Sequence, residues 1–243
     1  EFKDVSFAYE NGRNVISDLS FKANQGEITA IVGPSGCGKS TILKLLSRLY
    51  DHSSGQILIG GKDISKISTN SLFENISIVF QDVELFDDTI FENIKCGNPN
   101  ATTEDVLRAG KIANVDEIAD KFADKYNTKI GENGSKLSGG ERQRISIARA
   151  LVKDAPIILL DEISASLDIE NEVKIQAGLD RLIKNKTVII VSHRMKSIEN
   201  ANKIVVIENG KVESIGEHKY LLKNSAMYRT LVQCSQLASE YEY

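Results

Sequence analysis

The octapeptide Gly33-Pro34-Ser35-Gly36-Cys37-Gly38-Lys39-Ser40 constrains this chain more than any other stretch. It fits the pattern G-x-x-x-x-G-K-[ST]. The apolar run Glu27 to Val32 precedes it, and Ile42, Leu45, Leu46 and Leu49 follow at the i, i+3, i+4, i+7 spacing of one helix face. The local fold is therefore strand, glycine-rich turn, helix. Glycines let backbone N–H groups turn inward around phosphate oxygens, and the helix points its positive end at them. Gly33, Ser35, Gly36, Cys37 and Gly38 form the cradle, with Thr41 in the first helical turn. Lys39 is placed to reach the β- and γ-phosphates of a nucleotide, and the Ser40 hydroxyl to ligate Mg²⁺.

Phosphoryl chemistry also needs a carboxylate near the metal. The run Ile157-Ile158-Leu159-Leu160 ends in Asp161-Glu162, and in open α/β sheets ligands gather at the carboxyl ends of strands. Asp161 is assigned to Mg²⁺, and Glu162 to the attacking water as general base. Ser77 to Phe80 and Thr187 to Val191 are further apolar runs of strand length, so the predicted core is a mostly parallel sheet covered on both faces. Val5, Phe7 and Tyr9 alternate as on a strand near the N-terminus. Between about Asp82 and Val152 helical patterns take over, including Thr103 to Ala113 and Glu141 to Val152, which reads as an inserted helical lobe. Lys203 to Ile215 reads as a hairpin turning at Asn209-Gly210, with a helical tail from Glu217. The whole, residues 1–243, is expected to be one domain of α/β class.

Composition excludes several alternatives. Thirty Lys and Arg against 34 Asp and Glu leave a net charge of −4, so no global basic field is available to hold nucleic acid. Runs such as Ile28 to Val32 fall far short of the roughly 18 to 20 apolar residues that span a bilayer. Cys37, Cys96 and Cys234 are three, with no CxxC spacing, which fits neither a disulfide framework nor a zinc site. The chain opens at Glu1 without Met, and the expectation is a piece of a longer protein.

The segment Leu137-Ser138-Gly139-Gly140-Glu141-Arg142-Gln143 separates this chain from other phosphate-loop proteins. Ser138 and two glycines ahead of a helix make a second anion site at a helix N-terminus. The segment resembles the signature of the nucleotide-binding domain of ABC transporters, and the resemblance covers essentially the whole chain. It implies a phosphate-loop NTPase (RecA-like) core with a mostly parallel sheet, an antiparallel N-terminal β subdomain and an inserted helical subdomain. It also implies ATP and Mg²⁺ as cofactors, and a second copy whose signature loop closes on the γ-phosphate, so that each site is shared. By the same resemblance Tyr9 stacks on adenine, Gln81 touches Mg²⁺ and water, His193 contacts the γ-phosphate and Asp168 crosses the dimer interface. Taken alone, Tyr9 reads as a core aromatic, Gln81 as a surface polar residue and His193 as an ordinary histidine.

Gly131-Glu132-Asn133-Gly134 and Thr89-Ile90-Phe91-Glu92-Asn93-Ile94 are similar to exporter sequences. An exporter implies a transmembrane domain with coupling helices, in the same polypeptide and ahead of this one, with the ATPase on the cytoplasmic face of the membrane. An importer subunit, or a soluble ATPase of this type acting on ribosomes or DNA, is the alternative. A phosphate-loop kinase or GTPase is a further class, and no N-K-x-D segment is present for the latter. The chain departs from the family at Ala165-Ser166, which stand exchanged, and at Glu141, where Gln is also frequent.

Overall fold

The computed structural model describes residues 1–10, 12, 14–161, 169–192 and 198–241. The chain forms two compact units, Glu1–Ile76, Leu159–Glu162 and Thr187–Tyr243 in the first, and Ser77–Ile158 with Ile163–Lys186 in the second.

In the first unit, β1 (Phe2–Ala8) pairs antiparallel with β2 (Asn14–Phe21). Partners Phe2 and Phe21, Val5 and Leu19, and Phe7 and Ile16 all turn inward and are buried, although the register shifts between each pair, with Asp4 and Asp18 at positive φ absorbing the extra residue that breaks strict alternation. β3 (Ile28–Val32) leads into the glycine-rich turn and α1 (Lys39–Leu46). β4 (Ser54–Ile59) and β5 (Lys62–Asp63) complete a sheet of order β2-β1-β4-β5, and α2 (Thr69–Asn75) follows.

The larger sheet adds β6 (Ile76–Val79), β7 (Ile157–Asp161), β8 (Thr187–Val191), β9 (Lys203–Glu208) and β10 (Lys211–Gly216), in the order β10-β9-β3-β8-β7-β6. β3 lies parallel to both β8 and β9, whereas β9 and β10 form an antiparallel hairpin. The sheet is thus mixed at one edge. β3, β7, β8 and β9 are buried almost throughout, while β10 alternates exposed and half-buried as an edge strand does. The hairpin turns at Asn209 (φ 49°) and Gly210 (φ 76°), the paired positive angles that an Asn-Gly turn supplies. Two C-terminal helices, α8 (His218–Asn224) and α9 (Ala226–Tyr241), bring Leu221, Tyr228 and Val232 onto Ala30, Val32, Ile204 and Val206 of the sheet.

One sequence expectation fails in α1. The apolar spacing carries the helix to Leu49, yet it ends at Leu46 and Leu49 is exposed. Arg48 adopts a left-handed φ of 53°. The Arg48 N–H then donates to Leu45 O and the Leu49 N–H to Lys44 O, the bond pair of a Schellman stop. The Arg48 guanidinium is repaid by the carbonyls of Ile64 and Ile67, at 3.0 and 2.7 Å.

The second unit holds α3 (Ile90–Lys95), α4 (Thr103–Ile112), α5 (Asp116–Ala119), α6 (Gly139–Lys153) and α7 (Ile169–Leu182). α6 packs against α3, α4 and α7, and is buried on almost every face, polar Glu141, Gln143 and Arg144 included. Among the described residues no helix is long and apolar enough to cross a membrane.

Candidate nucleotide-binding site

Four helices of the described residues open on a Ser or Thr cap, whereas α1, like the short α5 and α8, opens without one. α2, α3, α4 and α6 each open with a Ser or Thr hydroxyl accepting an N–H of the first turn, from Ser68, Thr89, Thr102 and Ser138. α1 opens instead on Gly38, at φ 103°, with no side-chain cap. A helix leaves its first N–H groups without internal partners, so the α1 terminus is left for an anion to satisfy.

The loop ahead of it is tightly seated. A Cβ on Gly33 would lie 2.2 Å from the Ile207 carbonyl oxygen, and one on Gly38 would lie 2.6 Å from Ile16 Cδ1. Ser35 and Gly36 are exposed at the tip, and Cys37 is buried with its N–H on Pro34 O. Burial pushes the Cys37 thiol above its usual value, against the pull of the Lys39 charge. It is a packing thiol rather than a nucleophile. Lys39 is 7% exposed, and its Nζ donates to Gly33 O and Pro34 O at 2.9 Å each, reaching back across the loop.

Ser40 and Asp161 meet. The Ser40 hydroxyl donates to Asp161 Oδ1 at 3.1 Å, joining the start of α1 to the carboxyl end of β7. Asp161 is buried. A hydroxyl and a carboxylate converging beside a phosphate cradle are hard oxygen donors of the kind Mg²⁺ takes, so these residues fit that ion. Tyr9 follows β1, and its hydroxyl lies 3.1 Å from Thr41 Oγ1 on α1. Its ring meets Phe7 and Tyr50 edge-on, with centroids 4.8 and 5.3 Å away. The Thr41 contact ties the aromatic to the phosphate-loop helix across 32 residues of sequence, and no local pattern announces it.

The second unit carries Gln81 and the signature turn. Gln81 is exposed just beyond β6. The segment after it is held by side chains: Gln143 Nε2 donates to Phe80 O at 3.3 Å, Arg149 to Glu84 O at 3.1 Å, and Asn133 Oδ1 accepts the Leu85 N–H at 3.0 Å. Fully buried Asn93 accepts the Phe86 N–H and donates to Phe86 O, and Arg149 bonds it in turn. Asn133, Asn93 and Arg149 escaped the sequence reading as individual residues; only the segments around the first two stood out. At the signature, Ser138 and Glu141 form a reciprocal capping box. Burial pushes the Glu141 carboxyl up, but the Lys121 ammonium and the Ser138 donors outweigh it and hold the group below its ordinary value. Lys121 sits on an exposed turn without pattern, and sequence gave no signal for it. Glu162, Asp168 and His193 lie outside the described residues.

Strand, uncapped glycine start, buried lysine and the hydroxyl–carboxylate pair define a phosphate-loop nucleotide-binding protein. The family model for ABC transporters matches residues 16–165, and the chain belongs to that family. It is 42% identical over 242 residues to the beta-(1→2)glucan export ATP-binding/permease protein NdvA of Agrobacterium fabrum, covering 100% of this chain and 41% of that protein. It is 44% identical over 236 residues to the ATP-dependent lipid A-core flippase of Legionella pneumophila, covering 97% of this chain and 40% of the relative. Among solved structures, a bacterial Atm1-family ABC exporter with ATP bound superposes with a TM-score of 0.88 at 40% identity, over 96% of this chain and 41% of that one. The chain thus spans about two fifths of the length of the relatives it matches.

Proposed function

We propose that this chain is the ATP-binding and ATP-hydrolysing motor of an exporter, working at the cytoplasmic face of a membrane and joined to a transmembrane domain. One observation carries the reading: the Ser40–Asp161 contact beside the uncapped start of α1, in a chain similar along its length to proteins named for export or flipping.

In this reading Lys39 and the loop amides hold the β- and γ-phosphates, and Tyr9 stacks on adenine. Ser40 and Asp161, with Gln81, hold Mg²⁺, which when bound draws charge from the phosphate oxygens. Glu162 takes the proton of the attacking water, and His193 holds the γ-phosphate in line. A second copy supplies Ser138, Gly139 and Gly140 across the interface, where Asp168 also lies. Closing on ATP and parting after hydrolysis would move the attached membrane helices.

Phosphate release from ATP tests this directly. Glu162→Gln is expected to keep ATP binding and cut turnover by about 10²–10⁴-fold, the usual contribution of general acid–base catalysis. In mixtures with Ser138→Arg chains, activity should depart from proportionality to the unmodified fraction. Wild-type turnover in the Glu162 variant, or strict proportionality in the mixtures, would overturn the assignment.

A further inference from the structure

The signature turn of this chain carries a negative charge of its own beside the donors it offers an anion. Glu141 sits in the first turn of α6 and is 8% exposed. Its Oε2 accepts the Ser138 N–H at 2.8 Å, while Ser138 Oγ accepts the Glu141 N–H at 3.3 Å. The Arg142 N–H is spent on Ser138 O. The box and the first helical bond therefore occupy the N–H groups of Ser138, Glu141 and Arg142, and the amides left over are those of Gly139 and Gly140. The Ser138 hydroxyl, accepting from Glu141, keeps its own proton to donate. A Cβ on Gly139 would meet nothing within 4 Å, whereas one on Gly140 would lie 2.7 Å from Asn171 Cγ, so the open side of the turn is at Gly139. A carboxylate held one turn from these donors, however well the helix N-terminus suits it, repels a second anion arriving there.

The remaining oxygen of that carboxylate is occupied. Lys121, just beyond α5, places Nζ 2.6 Å from Glu141 Oε1. Its own N–H is fixed to Ile118 O at 3.2 Å, so the ammonium is delivered from an anchored turn. We propose that Lys121 is a positioning residue of the signature turn: it cancels the Glu141 charge and holds the carboxylate on the Ser138 N–H, leaving Gly139, Gly140 and the Ser138 hydroxyl to take the γ-phosphate. This rests on the motor reading above. It also gives a reason for a lysine here: a signature ending in Glu needs a counter-charge, and one ending in Gln would not.

A double-mutant cycle on the chain tests it, with Lys121→Gln, Lys121→Arg, Glu141→Gln and the Lys121→Gln, Glu141→Gln pair. Lys121→Gln should raise the ATP concentration for half-maximal hydrolysis about threefold, as loss of a partly exposed ion pair beside a helix terminus does. Saturating turnover should change less than about twofold, and the effect should shrink with added salt. Lys121→Arg should restore the wild-type value. With Glu141→Gln already present, Lys121→Gln should shift it by less than about 1.5-fold. An equal shift in both backgrounds, or no shift in either, overturns the role given to Lys121. A wild-type chain that neither binds nor hydrolyses ATP overturns the motor reading itself, and this inference falls with it.

Discussion

Lys39 is the side chain on which nucleotide binding should depend most. Its ammonium is 7% exposed, and its two hydrogen bonds go to carbonyl oxygens, Gly33 O and Pro34 O. Those dipoles solvate the charge without neutralising it, whereas phosphate oxygens do both. Charge-assisted bonds are worth about 1.5–3 kcal/mol each. Replacing two of them in Lys39→Met, net of the carbonyl bonds already present in the empty chain, should cost about 3 kcal/mol, or about 150-fold in Kd. Thermal unfolding with and without MgATP reads this out. At about 100 times the wild-type Kd, the ligand stabilises the folded chain by about 2.7 kcal/mol. A chain of this length gains about 2–4 °C per kcal/mol, giving a shift of about 5–11 °C. The variant at the same concentration retains about 0.3 kcal/mol, a shift of about 1 °C. Methionine preserves the packed stem, so the ligand-free midpoint serves as the control. A ligand-induced shift equal to that of the wild type would refute the reasoning.

Three further outcomes follow from the geometry. Gly38→Ala should destabilise the chain by about 2 kcal/mol, because its φ of 103° and the 2.6 Å approach of Ile16 Cδ1 both oppose a side chain; denaturant unfolding with an unchanged midpoint would contradict this. Tyr9→Ala should weaken ATP more than inorganic triphosphate, while Tyr9→Phe, losing only the Thr41 contact, should cost about 1 kcal/mol of stability and little affinity; equal weakening of both ligands by Tyr9→Ala would remove the ring from the adenine site. Glu141, its carboxyl lowered from 4.5 in the folded chain, contributes stability that is fully present above the usual glutamate value and is lost as pH falls through the lowered one. The stability gap between wild type and Glu141→Gln should therefore narrow below about pH 4.5, and melting curves that stay parallel to pH 3 would count against it.

Local chemistry explains which parts of this molecule could be read in advance. Thr187–Val191 is a strand at the bounds its apolar run predicts, and the apolar run Ile157–Leu160 lies in β7 with Asp161 carried on the same strand. The Asn209-Gly210 turn was legible from its dipeptide. α1 was misread at Leu49 because periodicity describes a face and says nothing of a left-handed arginine whose guanidinium finds carbonyls 16 and 19 residues on. The tail from Glu217 is helical as its pattern predicts, and the pattern says nothing of the break at Ser225, whose Oγ donates to Glu213 and accepts the Tyr228 N–H. Within the site, the phosphate loop and Asp161 follow from motif and strand end. The Tyr9–Thr41 and Lys121–Glu141 contacts do not, since each joins residues at 20 or more positions' remove with no shared pattern.

Helix α6 has a mechanical consequence. Its 15 residues rise about 22 Å, with Ser138 at one tip and Arg149 near the other. Side chains along its length grip Phe80, Glu84 and Asn93. A push-rod clamped in this way ties its serine tip to the stretch of chain beside Gln81: a tug along its axis on Phe80 or Glu84 would draw Ser138 with it.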